Sequence, residues 1–177
     1  MPHDPLDIEN YANWLNHEAT KEQSHYNKLL PAIGSATLAF AHLEWKLNQA
    51  FGQVINDRSP EIGLRIADKL SYSQTVDHFE TICGELTKAF RLEIRNELTR
   101  LIQDLRNAGR LRNEVAHSSF EYVFGSDGQF LKTPSRVKSK KKERRSHIVD
   151  PLPEIEASIV TICQTEESLT SFVDEYL

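Results

Sequence analysis

LEIRNELTRLIQDLRNAGRLRNEVAH, residues 92–117, decides the fold class. Ile94, Leu98, Leu101, Leu105, Ala108 and Val115 recur at steps of three, four and seven, which places them on one helix face. The stretch contains no proline. It predicts a long bundle helix ending near His117. Toward the N-terminus, Ala36, Phe40, Leu43, Leu47, Phe51 and Val54 repeat the pattern. Residues 21–56 read as the longest helical stretch, kinked or restarted by Pro31 near Leu30. Asp4-Pro5 marks a helix start, and Ile8, Tyr11, Trp14 and Leu15 predict a short amphipathic helix over 5–17. Asn56 to Ser59 is a break, after which Ser59-Pro60 opens a helix to about Leu70. Ser71 or Ser73 caps the next helix, carrying Val76, Phe79, Ile82, Leu86 and Phe90.

Beyond His117 the pattern changes. Phe120 to Phe124 is aromatic and β-branched, Gly125-Ser126-Asp127-Gly128 is a turn, and Gln129-Phe130-Leu131 is a return strand. This reads as a β-hairpin. A basic segment follows, and Ile148-Val149 adds a third short strand. Asp150-Pro151 restarts a helix on Ile155, Ile159, Ile162, Leu169, Phe172 and Val173. The expected architecture is one all-α domain over 1–177, a helical bundle with a small β-hairpin and basic loop before the C-terminal helix. Its parts are an N-terminal helix at 5–17, a bundle core at 21–117, the hairpin and loop at 118–149, and a final helix at 150–177.

The length, 177 residues, suits one domain and needs no disulfide or metal staple. The net charge is −5, which by itself argues against nucleic acid. The distribution argues for it. Residues 132–145, KTPSRVKSKKKERR, hold eight of the 21 basic residues and one acid, a local +7 that leaves −12 on the other 163 residues. Such asymmetry suggests a polyanion-binding loop, Lys138, Lys140, Lys141, Lys142, Arg144 and Arg145 being its cations. The other reading is a solvated Lys/Arg loop, and the two are compatible. No apolar run approaches 18 residues and no secretory leader is visible, so no membrane partner is expected. Cys83 and Cys163 are isolated, which fits a reducing cytoplasm.

Two polar residues violate the stripes. Arg112 falls on the apolar face of the 92–117 helix, and Glu44 falls between Phe40 and Leu47 on the earlier one. A guanidinium cannot shed its charge, so burying it unpaired is costly. The two either meet near the bundle surface or sit at the core edge and snorkel outward. A second stripe, Arg106, Arg110, Asn113 and His117, follows steps of four, three and four. Asn113 and His117 are i,i+4 neighbours able to touch.

The string Arg112-Asn113-Glu114-Val115-Ala116-His117 resembles the RNxxxH form of the Rx4–6H motif of the HEPN superfamily, helical nucleotide-binding and ribonuclease domains of bacterial defence and toxin–antitoxin systems. Ala41 to Leu47, the Lys69 to Ser73 junction and the motif's place at the end of a long helix add to the likeness, which covers roughly 31–175. The resemblance implies a metal-independent endoribonuclease acting as a homodimer on RNA, without cofactor, with Arg112, Asn113 and His117 as its catalytic set. It also implies a regulatory protein or antitoxin as a further partner. Arg110 satisfies the looser Rx6H spacing, so Arg112 or Arg110 is the functional arginine, Arg112 being preferred because Asn113 follows it. Ser119 stands where one branch of the family carries a tyrosine, which puts regulation through that tyrosine in doubt. The other function class is a non-catalytic HEPN-fold module binding a nucleotide, an RNA or a protein. A third is a purely structural helical protein.

These side chains also suit the chemistry on their own terms. Cleavage by a 2′-hydroxyl needs a base, an acid for the leaving 5′-oxygen and a cation at the phosphate. Histidine serves as acid or base near neutrality, and arginine offers a planar fork to phosphate oxygens. One histidine does not reach both sides of an in-line reaction, and two copies across a two-fold axis would. No Walker loop, GxGxxG or GxSxG string occurs, and no metal-ligand spacing stands out.

Overall fold

The computed structural model describes residues 8–56, 58–89, 92–123, 129–134, 147–148 and 151–177. It is an all-α bundle. Its α-helices are α1 (Ile8–Ile55), α2 (Pro60–Ala67), α3 (Tyr72–Leu86), α4 (Leu92–Ala116) and α5 (Leu152–Tyr176), with a 3-10 turn at Thr87–Ala89. The expected start at Asp4-Pro5, Phe90 and the turn at 125–128 lie outside the described residues.

α1 corrects the sequence reading at its N-terminal half. The two expected helices, 5–17 and 21–56, are one element of 48 residues, about 72 Å at helical rise. The physical reason is that Glu18-Ala19-Thr20 contains neither glycine nor proline, so nothing there stops propagation. Pro31 lies inside the helix and withholds one N–H from the ladder without ending it. Its inner face buries Ala36, Phe40, Leu43, Leu47, Ala50 and Phe51.

α2 starts on Pro60, whose fixed φ suits the first helical turn. It packs on α1 through two glycines. A Cβ on Gly63 would stand 2.4 Å from the Gly52 carbonyl oxygen, so the backbones touch where no side chain fits. α3 is capped by Ser71. The Gln74 N–H donates to Ser71 Oγ at 3.4 Å, and the Ser71 N–H donates to Gln74 Oε1 at 2.9 Å. The reciprocal pair satisfies two of the orphan donors at this terminus. Ser71 therefore is the cap, and Tyr72, which the stripe reading omitted, is the first buried residue of α3. Its inner face continues through Thr75, Val76, Phe79 and Cys83, while Leu86 is on the surface.

α4 buries Leu98, Leu101, Ile102, Leu105, Ala108 and Val115. α5 runs parallel to α1 and antiparallel to α4. Ile155 clusters with Leu29, Ala36 and Val115, and further along α5 the Tyr176 hydroxyl donates to Glu97 Oε2 at 3.2 Å. Ile162, Leu169 and Phe172 complete the core. Ser158 and Thr165 are buried too, each hydroxyl donating to a carbonyl one turn back, Glu154 and Thr161, at 2.8 Å. His42 of α1 meets Glu166 of α5 at 2.8 Å and stacks on Trp45, closing the α1–α5 seam at the surface.

Between α4 and α5 the backbone carries three short strands, β1 (Ser118–Val123), β2 (Gln129–Pro134) and β3 (His147–Ile148), in the order β1-β2-β3. β1 and β2 are antiparallel, Ser118 opposite Pro134 and Val123 opposite Gln129. β3 pairs antiparallel with β2 through Leu131 and Ile148. No helix among the described residues is long and apolar enough to cross a membrane.

Candidate active site

The C-terminal third of α4 holds the motif, and helical geometry divides it. Residues 105, 108, 112 and 115 share the core-facing stripe. Asn113 and His117 are turned away from it, His117 by about 140° from Arg112. Asn113 and His117 are exposed, and the His117 N–H donates to the Asn113 carbonyl at 3.0 Å, closing the last turn. Among the described residues neither of their side chains has a hydrogen-bond partner.

Arg112 is half-buried, and its partner is an aromatic ring. Its guanidinium carbon stands 4.7 Å from the centre of Phe40. Cation–π attraction of this kind is worth ~0.5–2 kcal/mol, more when the pair is desolvated. Nε is buried and finds no acceptor, and leaving such a donor unpaired costs ~1–3 kcal/mol. Phe40 in turn packs on Tyr72, ring centres 4.8 Å apart at 57°. The Tyr72 hydroxyl donates to the Leu105 carbonyl at 2.9 Å, one helical stretch before Arg112. Gly109 makes room for this ring, because a Cβ there would lie 2.9 Å from Tyr72 Cε1. Burial pushes the Tyr72 phenol well above its ordinary value, Glu44 pushes it further, and Arg112 pulls it back. The hydroxyl thus stays a donor, and both charges act on it from close by.

Of the two readings of Arg112 and Glu44, the direct contact is not made. Among the described residues no ion pair joins them, although both face the neighbourhood of Tyr72. The reason is competition within the pocket. The guanidinium carbon stands over Phe40, four residues before Glu44 on the same helix, and Glu44 is half-buried at the stripe edge, where a carboxylate can snorkel outward.

The other arginines of the second stripe are engaged. Arg110 donates to Glu114 Oε1 at 2.7 Å and to Asn107 Oδ1 at 2.8 Å, all on α4. Arg106 reaches across to α3, donating to Asp77 at 3.0 Å and Glu80 at 2.7 Å, and these bonds raise its pKa. Among the described residues Arg110 has a carboxylate partner and Arg112 has none. Lys138, Lys140, Lys141, Lys142, Arg144 and Arg145 lie outside the described residues. Among the described residues no three His, Cys, Asp or Glu side chains gather as a metal site.

The stripe reading found Arg112 and missed what holds it. Phe40 counts in the sequence as one more core residue of α1. Gly109 was the available signal, since a glycine inside a helix costs stability and marks close approach. No family model, curated protein or solved structure matches this chain.

Proposed function

We propose that this chain is a HEPN-type, metal-independent endoribonuclease that works as a homodimer in bacterial defence or a toxin–antitoxin system. The observation that carries the reading is Arg112. It is a guanidinium set in a core-facing stripe, without a carboxylate partner among the described residues, at the start of an RNxxxH string. A cation held this way has an unmet demand for an anion, and a phosphodiester meets it. Asn113 and His117 are exposed on the neighbouring face, open to a substrate.

In the reaction the 2′-oxygen attacks phosphorus and the bond to the 5′-oxygen breaks. One His117 takes the 2′-hydroxyl proton, and the partner copy's equivalent group supplies the proton to the leaving oxygen. Arg112 steadies the charge on the non-bridging oxygens. The angular separation of Arg112 and His117 on one helix supports a site completed by a second copy. The strands between α4 and α5 and the basic segment 132–145 would hold the RNA backbone without reading its bases.

Purified protein incubated with mixed RNA in EDTA tests this. Cleavage by the wild type, lost by a factor of at least ~100 in His117→Ala, is the expected result. Equal cleavage by both proteins, or none by the wild type, sinks it.

A further inference from the structure

We propose that Phe40 is the positioning residue for Arg112, holding its guanidinium so that only the outer Nη edge can take a phosphodiester. This rests on the ribonuclease reading and adds a residue and a geometry to it. A guanidinium has two edges that can grip a phosphate in bidentate fashion, one through Nε and an Nη, the other through both Nη groups. In this bundle the first edge is spent. Nε is buried without an acceptor among the described residues, and the guanidinium carbon stands 4.7 Å from the centre of Phe40. Of the Arg112 nitrogens Nε alone is a buried atom without a partner, and the residue as a whole is half-buried, which leaves the Nη edge to a phosphate.

The ring beneath is itself fixed. Phe40 is buried and braced by Tyr72, and Tyr72 is tied by its hydroxyl to the Leu105 carbonyl of the helix that bears Arg112. Gly109 leaves the space that Tyr72 fills. Ring, brace and arginine thus form one closed unit linking α1, α3 and α4, so the guanidinium is oriented before any RNA arrives. Among the described residues no carboxylate shares in that orientation, so none of their ion pairs has to break when a phosphate binds.

The test uses the full chain, labelled with 15N on arginine side chains, and an RNA oligonucleotide blocked by 2′-O-methyl groups. The Arg112 Nε proton should lie upfield under the Phe40 ring current, and the shift should vanish in Phe40→Leu. On addition of the RNA the Arg112 Nη signals should move and Nε should not. Phe40→Leu should weaken RNA binding about tenfold with its thermal melt still cooperative. A trifluorinated phenylalanine at position 40 has nearly the same shape and a weakened π face, and should reproduce the loss. Leu38→Ala, on the exposed face of α1 and outside this unit, should bind as the wild type does. Wild-type affinity in the fluorinated protein, or an Nε signal that moves downfield on binding, overturns the proposal. A wild type with the ring-shifted Nε that binds no RNA overturns the phosphodiester assignment and with it the ribonuclease reading. An Nε without the ring shift overturns the positioning role alone.

Discussion

At the residue scale, Arg112 and Cys83 show how burial acts on two kinds of polar group. A guanidinium cannot be neutralised to ease its burial, and the fold answers Arg112 with an aromatic face. Cys83 is fully buried in α3 and sheds the problem by staying neutral. Burial pushes its thiol from 9.0 to about 12. In the unfolded chain the thiol ionises from about pH 9, whereas the folded chain retains the proton to about 12. The folded state therefore binds more protons across that window, and stability falls as pH rises through it. Its contribution is complete below pH 9. Urea melts of the wild type and Cys83→Ala between pH 8 and 11 measure this. The variant should lose about 1 kcal/mol less per pH unit above 9, and parallel curves would show that Cys83 plays no part.

At the element scale, the helices were legible wherever a stripe of large apolar residues ran unbroken. α4 carries Leu98, Leu101, Leu105, Ala108 and Val115 inward as its spacing requires. Positions where small or polar residues do the packing were not legible. Ser158 and Thr165 are buried on α5 because their hydroxyls satisfy themselves within the helix, which periodicity of apolar residues does not register. The α1–α2 contact is the sharpest case. Gly63→Ala would gain about 1 kcal/mol of helix propensity, yet its Cβ would strike the Gly52 backbone, which cannot rotate away. Overpacking wins, and denaturant unfolding should show a loss of about 1–3 kcal/mol. Gly34→Ala on the exposed face of α1 meets nothing within 4 Å and should gain about 0.5–1 kcal/mol. Equal effects of the two substitutions would remove backbone contact as the reason for Gly63.

At the scale of the whole molecule, charge is segregated along the chain. Residues 132–145 hold +7 on a body of −12, and residues 150–177 contain seven acids and no lysine or arginine. Under the ribonuclease reading the basic segment contributes affinity and the α4 motif contributes chemistry. Each phosphate neutralised on single-stranded RNA adds about 0.7 to the slope of log K against log salt. Changing Lys140, Lys141 and Lys142 to alanine should flatten that slope by about 2 and leave the cleavage rate at saturating RNA unchanged. An unaltered slope would take the segment out of the RNA interface.

The sequence by itself determined the helical class, because period and proline placement are local properties that neighbours seldom override. It also singled out Arg112, since a charge on an apolar stripe is visible without coordinates. It could not choose the partner of that charge. Glu44 and Phe40 lie on the same helix, one turn apart, and opposite charge favoured Glu44 on paper. Only the packed bundle decided for the ring, because Tyr72, admitted by Gly109, braces Phe40 under the guanidinium while Glu44 stays at the half-buried edge, where its charge is cheaper to leave unpaired.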